Sequence, residues 1–324
     1  MLFSLNTATT DSIIHGRRRL YEAASGRAHA ATARIQASAS RIDSMPKFFI
    51  GGAPKSGTTW LQLLLNLHPD VCCFGESHLF DLFLPELDVA IKGYNSKIAW
   101  RNDTVFDETA GCPLLGDEFK LILVRAAFNL TAAQNLGDRR VKVIGEKTPN
   151  NTQFLNIVDS AFAQAKFVHV IRDGRDCAVS AWYHNRRITP QASLRKYPEL
   201  SRLSREVAQA WAKDLQFGAD FCERAPDRYH AIRYEDLVCK AQGTFRGILA
   251  FLGVKQTDSI VSNCLSGASF EKLSGGRPAG QEDTKSFFRK GTAGDWRNHF
   301  DDSMAQEFVK IAGTWLERYG YSLE

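Results

Sequence analysis

The residues of this chain best arranged for chemistry are Pro54, Lys55, Ser56, Gly57, Thr58 and Thr59, which sit between two apolar runs. The first run, Phe48 to Ile50, breaks at Gly51 and Gly52, and the second, Trp60 to Leu67, has the length and composition of a buried helix. A strand, a glycine turn and a helix start make a cradle for phosphate. Backbone N–H groups there lack partners, and the aligned peptide dipoles put partial positive charge at the same place. An ordinary nucleotide loop places its lysine directly after the second glycine. Here Gly52 and Gly57 keep the glycine spacing, Thr58 stands where the lysine belongs, and the lysine lies inside the loop as Lys55.

Two further stretches carry anion-binding chemistry. In the first, the apolar run Phe167 to Ile171 leads into Arg172-Asp173-Gly174, and a helix predicted to start near Asp173 or Gly174 places Ser180 near the end of its second turn. In the second, Arg289-Lys290-Gly291 is followed by Gly294-Asp295-Trp296 and Asn298-His299-Phe300. Arginine suits phosphate because its planar fork donates two parallel hydrogen bonds, and glycine lets the backbone approach closely. Structural readings compete with these. Arg172 could pair with Asp173 or Asp176, and the later stretch could be a basic surface loop before a C-terminal helix.

Together the three stretches resemble the sulfotransferases that use 3′-phosphoadenosine 5′-phosphosulfate (PAPS). Pro54 to Trp60 is similar to their 5′-phosphosulfate loop, whereas Arg172, Ser180 and Arg289-Lys290-Gly291 match the groups that hold the donor's 3′-phosphate. Tyr234 resembles the tyrosine near the adenine, and Ser269-Phe270 a pair that lines the nucleotide; Trp60 could stack on the adenine or pack in the core. No strand reads as ending in a magnesium-binding aspartate, and a nucleoside-triphosphate enzyme needs that metal to neutralise the transferring group. A sulfuryl group carries less charge, so a lysine and backbone amides can suffice. The resemblance thus implies PAPS as co-substrate, no metal, and an α/β fold with a central parallel sheet flanked by helices on both faces.

Transfer to a hydroxyl or amine also needs a group that takes the acceptor's proton. Cytosolic small-molecule sulfotransferases use the histidine of a Lys-Thr-His motif, but the comparable stretch is Glu146-Lys147-Thr148-Pro149. That form resembles the heparan-sulfate type, whose Glu-x-His-x-x-Asp arrangement is matched by Glu76, His78 and Asp81. Glu76 is then the expected base, in a closed pocket, with His78 as the alternative; Lys55 and Lys147 would stabilise charge on the leaving phosphate. Alternatively Glu76 and Asp81 start a helix and His78 lies on the surface. A P-loop nucleotide kinase and a non-catalytic nucleotide-binding protein are the competing functions.

The elements that must position these groups follow from the hydrophobic pattern. Apolar runs at Lys47–Gly51, Val141–Gly145, Phe167–Ile171 and Tyr229–Arg233 predict parallel strands, alternating with helices that include Glu118–Leu136, Ser201–Arg224, Glu235–Leu252 and Asp302–Tyr319. Residues 46–324 read as one sulfotransferase-like domain, and residues 1–45 as a separate basic segment with six arginines against Asp11, Glu22 and Asp43. That segment fits a transit peptide, a helical extension, or sequence upstream of a start at Met45. The net charge of +5 is modest for a nucleic-acid binder and suits an anionic donor, with a small molecule or carbohydrate as expected acceptor. There is no apolar run of about 18 residues that would span a membrane. The seven cysteines lack metal-like spacing and fit a reducing compartment, so a cytoplasmic or organellar soluble protein is expected. Oligomeric state and acceptor identity are left open.

Overall fold

The computed structural model describes residues 32–33, 36–106 and 111–324. Its centre is a five-stranded sheet built from β1 (Lys47–Gly51), β2 (Val71–Gly75), β3 (Val143–Lys147), β4 (Lys166–Ile171) and β5 (Tyr229–Arg233). The order across the sheet is β2-β3-β1-β4-β5, and every pair is parallel. β1 thus lies in the middle, with all five of its residues buried.

Burial on both faces explains why the strands read as continuous apolar runs rather than alternating ones. Side chains alternate across the sheet and feed two separate cores. Phe48, Ile50, Val168 and Val170 pack on one side with α1 (Thr58–Asn66), α9 (Ala241–Leu252) and α10 (Asp258–Gly267). Phe49, Cys72, Phe74 and Phe167 pack on the other with α3 (Asp117–Leu136), α4 (Leu155–Ala161) and α7 (Leu200–Arg224). Phe49 packs there edge-on or tilted against Phe80, Phe128 and Phe162 with ring centroids 5.2–5.8 Å apart. A third cluster joins Trp211 of α7 to Phe308 and Leu316 of α12 (Asp302–Arg318).

Two expected elements shift, and two others lie outside the sequence expectations. β2 was not foreseen, because its apolar run of only four residues, Val71 to Phe74, shows no alternation and follows close on α1 after His68-Pro69-Asp70. The 141–145 run pairs two residues later, as Val143–Lys147, so that Glu146 and Lys147 belong to the strand and are carried to its C-terminal end. The single helix expected over 235–252 is two, α8 (Tyr234–Cys239) and α9, because Lys240 leaves helical geometry at φ −127°, ψ 40°. The long helix α2 (Leu84–Val105) was also unread; it buries only Ile91 completely and so lacks a strong apolar stripe. Residues 36–43 are helical, whereas the expectations for residues 1–31 lie outside the described residues. No helix among the described residues is long and apolar enough to cross a membrane.

Candidate active site

The C-terminal ends of all five strands converge on one cavity of about 660 Å³. The loop and helix start after β1 supply Pro54, Lys55 and Gly57 to Trp60, and the end of β2 supplies Glu76, that of β3 Pro149, that of β4 Arg172 and that of β5 Tyr234. Helix α5 (Gly174–Ile188) adds Ser180, His184 and Asn185, and the C-terminal loop adds Phe287 to Thr292. A ligand crevice at the carboxyl edge of a parallel sheet, where connections leave in opposite directions, is the expected place for a site in such a fold.

The loop after β1 is shaped by backbone geometry. Gly57 precedes α1 at φ 103°, and a Cβ there would lie 2.6 Å from the Tyr234 ring, so only glycine lets the loop and the β5 tyrosine meet. Lys55 adopts φ 74°. Among the described residues the only other non-glycine positions with positive φ are Glu76 and His78, at 27° and 49°. Such conformations cost roughly 1–3 kcal/mol each and persist where surroundings over-determine them. All three fall at residues singled out for chemistry. Burial, then the neighbouring Arg187 charge, lowers the Lys55 ammonium to about 8 despite the opposing pull of Glu76. Its Nζ lies 4.6 Å from the centre of the Phe287 ring.

The arginines of the two distant stretches meet in the same wall. Arg172 is nine-tenths buried, stacks 4.6 Å over Tyr234, and donates to the carbonyls of Lys55 at 3.3 Å and Thr292 at 3.2 Å. Its Nε has no protein partner, and neither does the buried Ser56 hydroxyl. Arg289 and Lys290 both reach the buried Asp295. Burial alone would raise the Asp295 carboxyl, but hydrogen bonds from Lys290, Asn298 and Arg289 hold it well below the usual carboxylate range. Gly291, at φ 70°, lies against Phe270; a Cβ there would sit 2.3 Å from that ring.

Glu76 stands at the rim, 49% exposed, rather than in the closed pocket expected of it. Lys147 Nζ contacts its Oε1 at 2.5 Å and donates to Thr59 Oγ1 at 3.1 Å, so the buried lysine ties the carboxylate to the phosphate loop. On the other side His78 Nε2 lies 3.8 Å from Glu76 Oε2, while its Nδ1 faces Asp81 at 3.0–3.1 Å. Asp81 in turn accepts from Asn150 at 2.9 Å.

The opposite end of the cavity is apolar. Trp60, Tyr234, Leu237, Leu265, Phe270 and Leu273 line it, with Trp60 edge-on to Tyr234 and donating to the Ala268 carbonyl at 2.8 Å. An apolar compartment beside clustered cations, an unpartnered guanidinium N–H and an unpartnered hydroxyl fit an adenine nucleotide with phosphates at both ends of its sugar. Pro54, Lys55, Gly57, Thr58, Thr59, Trp60, Glu76, Arg172, Ser180, Tyr234, Phe270, Arg289, Lys290 and Gly291 line this cavity. Ser56, His78 and Lys147 stand behind them. Ser269 does not line it: its hydroxyl caps the short helix α11 (Phe270–Leu273) by accepting from Lys272 N.

Sequence reasoning gave Asp176 only a possible pairing with Arg172 and missed its hold on the third stretch. Its carboxylate accepts from Gly294 N at 2.7 Å and Trp296 N at 2.9 Å and lies 3.6 Å from Arg172, binding the third stretch to α5. It also assigned nothing to His184. Burial, then the charges of Lys55 and Arg187, pushes that imidazole down to about 4, and its Nδ1 lies 3.2 Å from Arg187 Nη2. The only signal available was i, i+4 and i, i+7 spacing from Ser180, which puts both residues on the cavity side of α5.

The protein-tyrosine sulfotransferase 1 of Danio rerio is 25% identical over 217 residues, which cover 67% of this chain and 56% of the relative. The Drosophila melanogaster protein-tyrosine sulfotransferase is 26% identical over 218 residues, 67% of this chain and 40% of the relative. The chain therefore spans about half the length of the curated relatives it matches. A mouse sulfotransferase crystallised with PAP superposes with a TM-score of 0.52 at 20% identity, covering 86% of this chain and 91% of that one. A sequence model described as the sulfotransferase family matches residues 46–258, about two thirds of the chain, and the protein belongs to that family.

Proposed function

We propose that the protein is a PAPS-dependent sulfotransferase that transfers a sulfuryl group to a hydroxyl or amine. The observation that carries this reading is the convergence of Lys55, Arg172 and Arg289, more than a hundred residues apart from one another, on one cavity whose rim holds Glu76. Bound there, PAPS supplies the activated sulfuryl group and a stable adenosine bisphosphate leaving group. Thr58, Thr59 and the N-terminal amides of α1 receive its 5′-phosphosulfate end, whereas Arg172, Ser180, Arg289 and Lys290 hold the 3′-phosphate. Trp60, Tyr234 and Phe270, which line the apolar end of the cavity, enclose the base.

Glu76 takes the acceptor's proton as the new bond forms, with Lys147 and His78 fixing its carboxylate. Lys55, in a loop that shields it from bulk water, stabilises the charge growing on the bridging oxygen. Because Glu76 is half exposed at the rim, the acceptor group can be presented from outside by a large molecule, such as a tyrosine side chain or a carbohydrate hydroxyl. The relatives' names make tyrosine peptides a first choice. Incubation with labelled PAPS and a panel of tyrosine peptides, phenols, alcohols, amines and sugars tests the proposal. Transfer to one class supports it. PAP binding without transfer would mark a nucleotide-binding protein, and activity that requires ATP and magnesium would mark a kinase.

A further inference from the structure

Three consecutive amides leave the end of β2, and the residues that end β3 take each of them. Glu76 N donates to the Lys147 carbonyl at 2.6 Å, Ser77 N to Glu146 Oε1 at 3.0 Å, and His78 N to Thr148 Oγ1 at 3.4 Å. The regular ladder between the strands stops at Gly75 opposite Lys147, so these bonds extend the pairing, the first through the backbone and the next two through side chains. Two of the residues held in this way, Glu76 and His78, have the left-handed φ that a side chain disfavours. The turn is therefore kept in a conformation it would otherwise leave.

Glu146 is the centre of this arrangement. It is 1% exposed, and its contacts are all hydrogen bonds received. Oε1 accepts from Ser77 N, from Ser77 Oγ at 2.8 Å and from Thr148 Oγ1 at 2.6 Å, and Oε2 accepts from Asn151 Nδ2 at 2.6 Å. The adjacent Lys147 points to the other face of the strand, towards Glu76 and Thr59. A carboxyl group is expensive to bury, and packing alone would be better served by an apolar side chain.

We propose that Glu146 is a positioning residue, which locks the Glu76-Ser77-His78 turn so that the Glu76 carboxylate is presented between Lys147 and His78. The inference rests on Glu76 as the base. The Glu146-Lys147-Thr148 stretch then works as a unit: the first residue fixes the turn, the second binds the carboxylate presented by it, and the third receives the last amide. Asn151, which also donates to the Ile50 carbonyl, anchors Glu146 to β1.

Two near-isosteric variants test this in the full chain. Glu146→Gln sets an amide against Asn151 Nδ2, itself a donor, while its oxygen can still face Ser77. Thr148→Val keeps the volume and removes the hydroxyl shared by Glu146 and the His78 amide. Transfer from labelled PAPS to a phenol or alcohol that the wild type turns over is measured beside PAP affinity by calorimetry. Each variant is expected to lower kcat at least tenfold while PAP affinity stays within twofold. In a Glu76→Gln background Thr148→Val should cost less than a further twofold, because the group it positions is already gone. Unchanged kcat in both variants, PAP affinity falling in step with kcat, or full multiplication of the two effects would overturn the proposal. Should Glu146→Gln not fold, Thr148→Val and the double variant decide alone. A wild type that binds PAP yet transfers nothing would sink the enzymatic reading instead. The structure of Thr148→Val then decides: unchanged φ at Glu76 and His78 would dismiss the lock.

Discussion

Lys55 carries its ammonium into a wall that already holds Arg172 and Arg187, and pays for this in proton affinity. Below pH 8 the charged form is penalised in the fold. Between about 8 and the ordinary 10.5 the unfolded chain binds a proton that the folded chain has released. Stability from this residue therefore rises with pH across that window. Denaturant midpoints at pH 7 and pH 10 should show an increment in the wild type that Lys55→Met lacks. An anionic ligand favours the charged ammonium, so PAP affinity should weaken above pH 8, and calorimetry should find no such weakening in Lys55→Met. The arginines behave differently, since they stay charged throughout. Arg172→Ala and Arg289→Ala should each weaken PAP binding by about 1.5–3 kcal/mol, the range for hydrogen bonds to charged groups. Unaltered PAP titrations in both variants would remove the 3′-phosphate assignment.

At the scale of elements, the site depends on where strands end and helices begin. Gly57 lets α1 start directly beneath Tyr234 at the end of β5, and Gly57→Ala would bring a methyl group to 2.6 Å from that ring at a φ of 103°. The substitution should cost roughly 1–3 kcal/mol and lower the melting temperature by a few degrees, with PAP binding lost as Tyr234 shifts. Asp176 does the same work between α5 and the C-terminal loop. Asp176→Asn can keep only part of the acceptor pair for Gly294 N and Trp296 N, so limited proteolysis should cut residues 274–294 faster, with PAP protecting less than in the wild type. The loop of α1 and the Arg172 strand end were legible because both are local: a break in apolar periodicity next to glycine, or a charge directly after a run. The pairing of Asp176 with Arg172 was open to reading for the same reason, but its grip on Gly294 N and Trp296 N was not, since those partners lie 118 and 120 residues away and nothing near it in the chain announces them. β2 was hidden for a different reason: a strand buried on both faces has no alternation to distinguish it from the end of α1.

For the whole molecule, the question is what must be present for the sheet to hold the cavity. Residues 36–43 form a helix ahead of β1, and its last turn is built into the core. Ile42 is fully buried among Phe49, Val124 and Phe128. Asp43 accepts both contacts of the Arg125 guanidinium at 2.9 Å and one from Asn129 at 2.7 Å. The buried Lys47 ammonium, at the start of the central strand, donates to the carbonyls of Ile42, Asp43 and Met45. A chain beginning at Met45 loses the Ile42 side chain, worth about 2–5 kcal/mol in a core of this kind. It also strips two acceptors from a buried cation, about 1–3 kcal/mol more for a group left unsatisfied. Against a typical stability of about 5–15 kcal/mol, that is enough to leave the sheet marginal. A chain beginning at residue 36 keeps all of these contacts. Thermal melts should therefore separate the two, with the Met45 chain unfolding well below the longer one and regaining part of the difference when PAP is added. Equal melting curves would show that β1 and its loop need nothing from the residues before them.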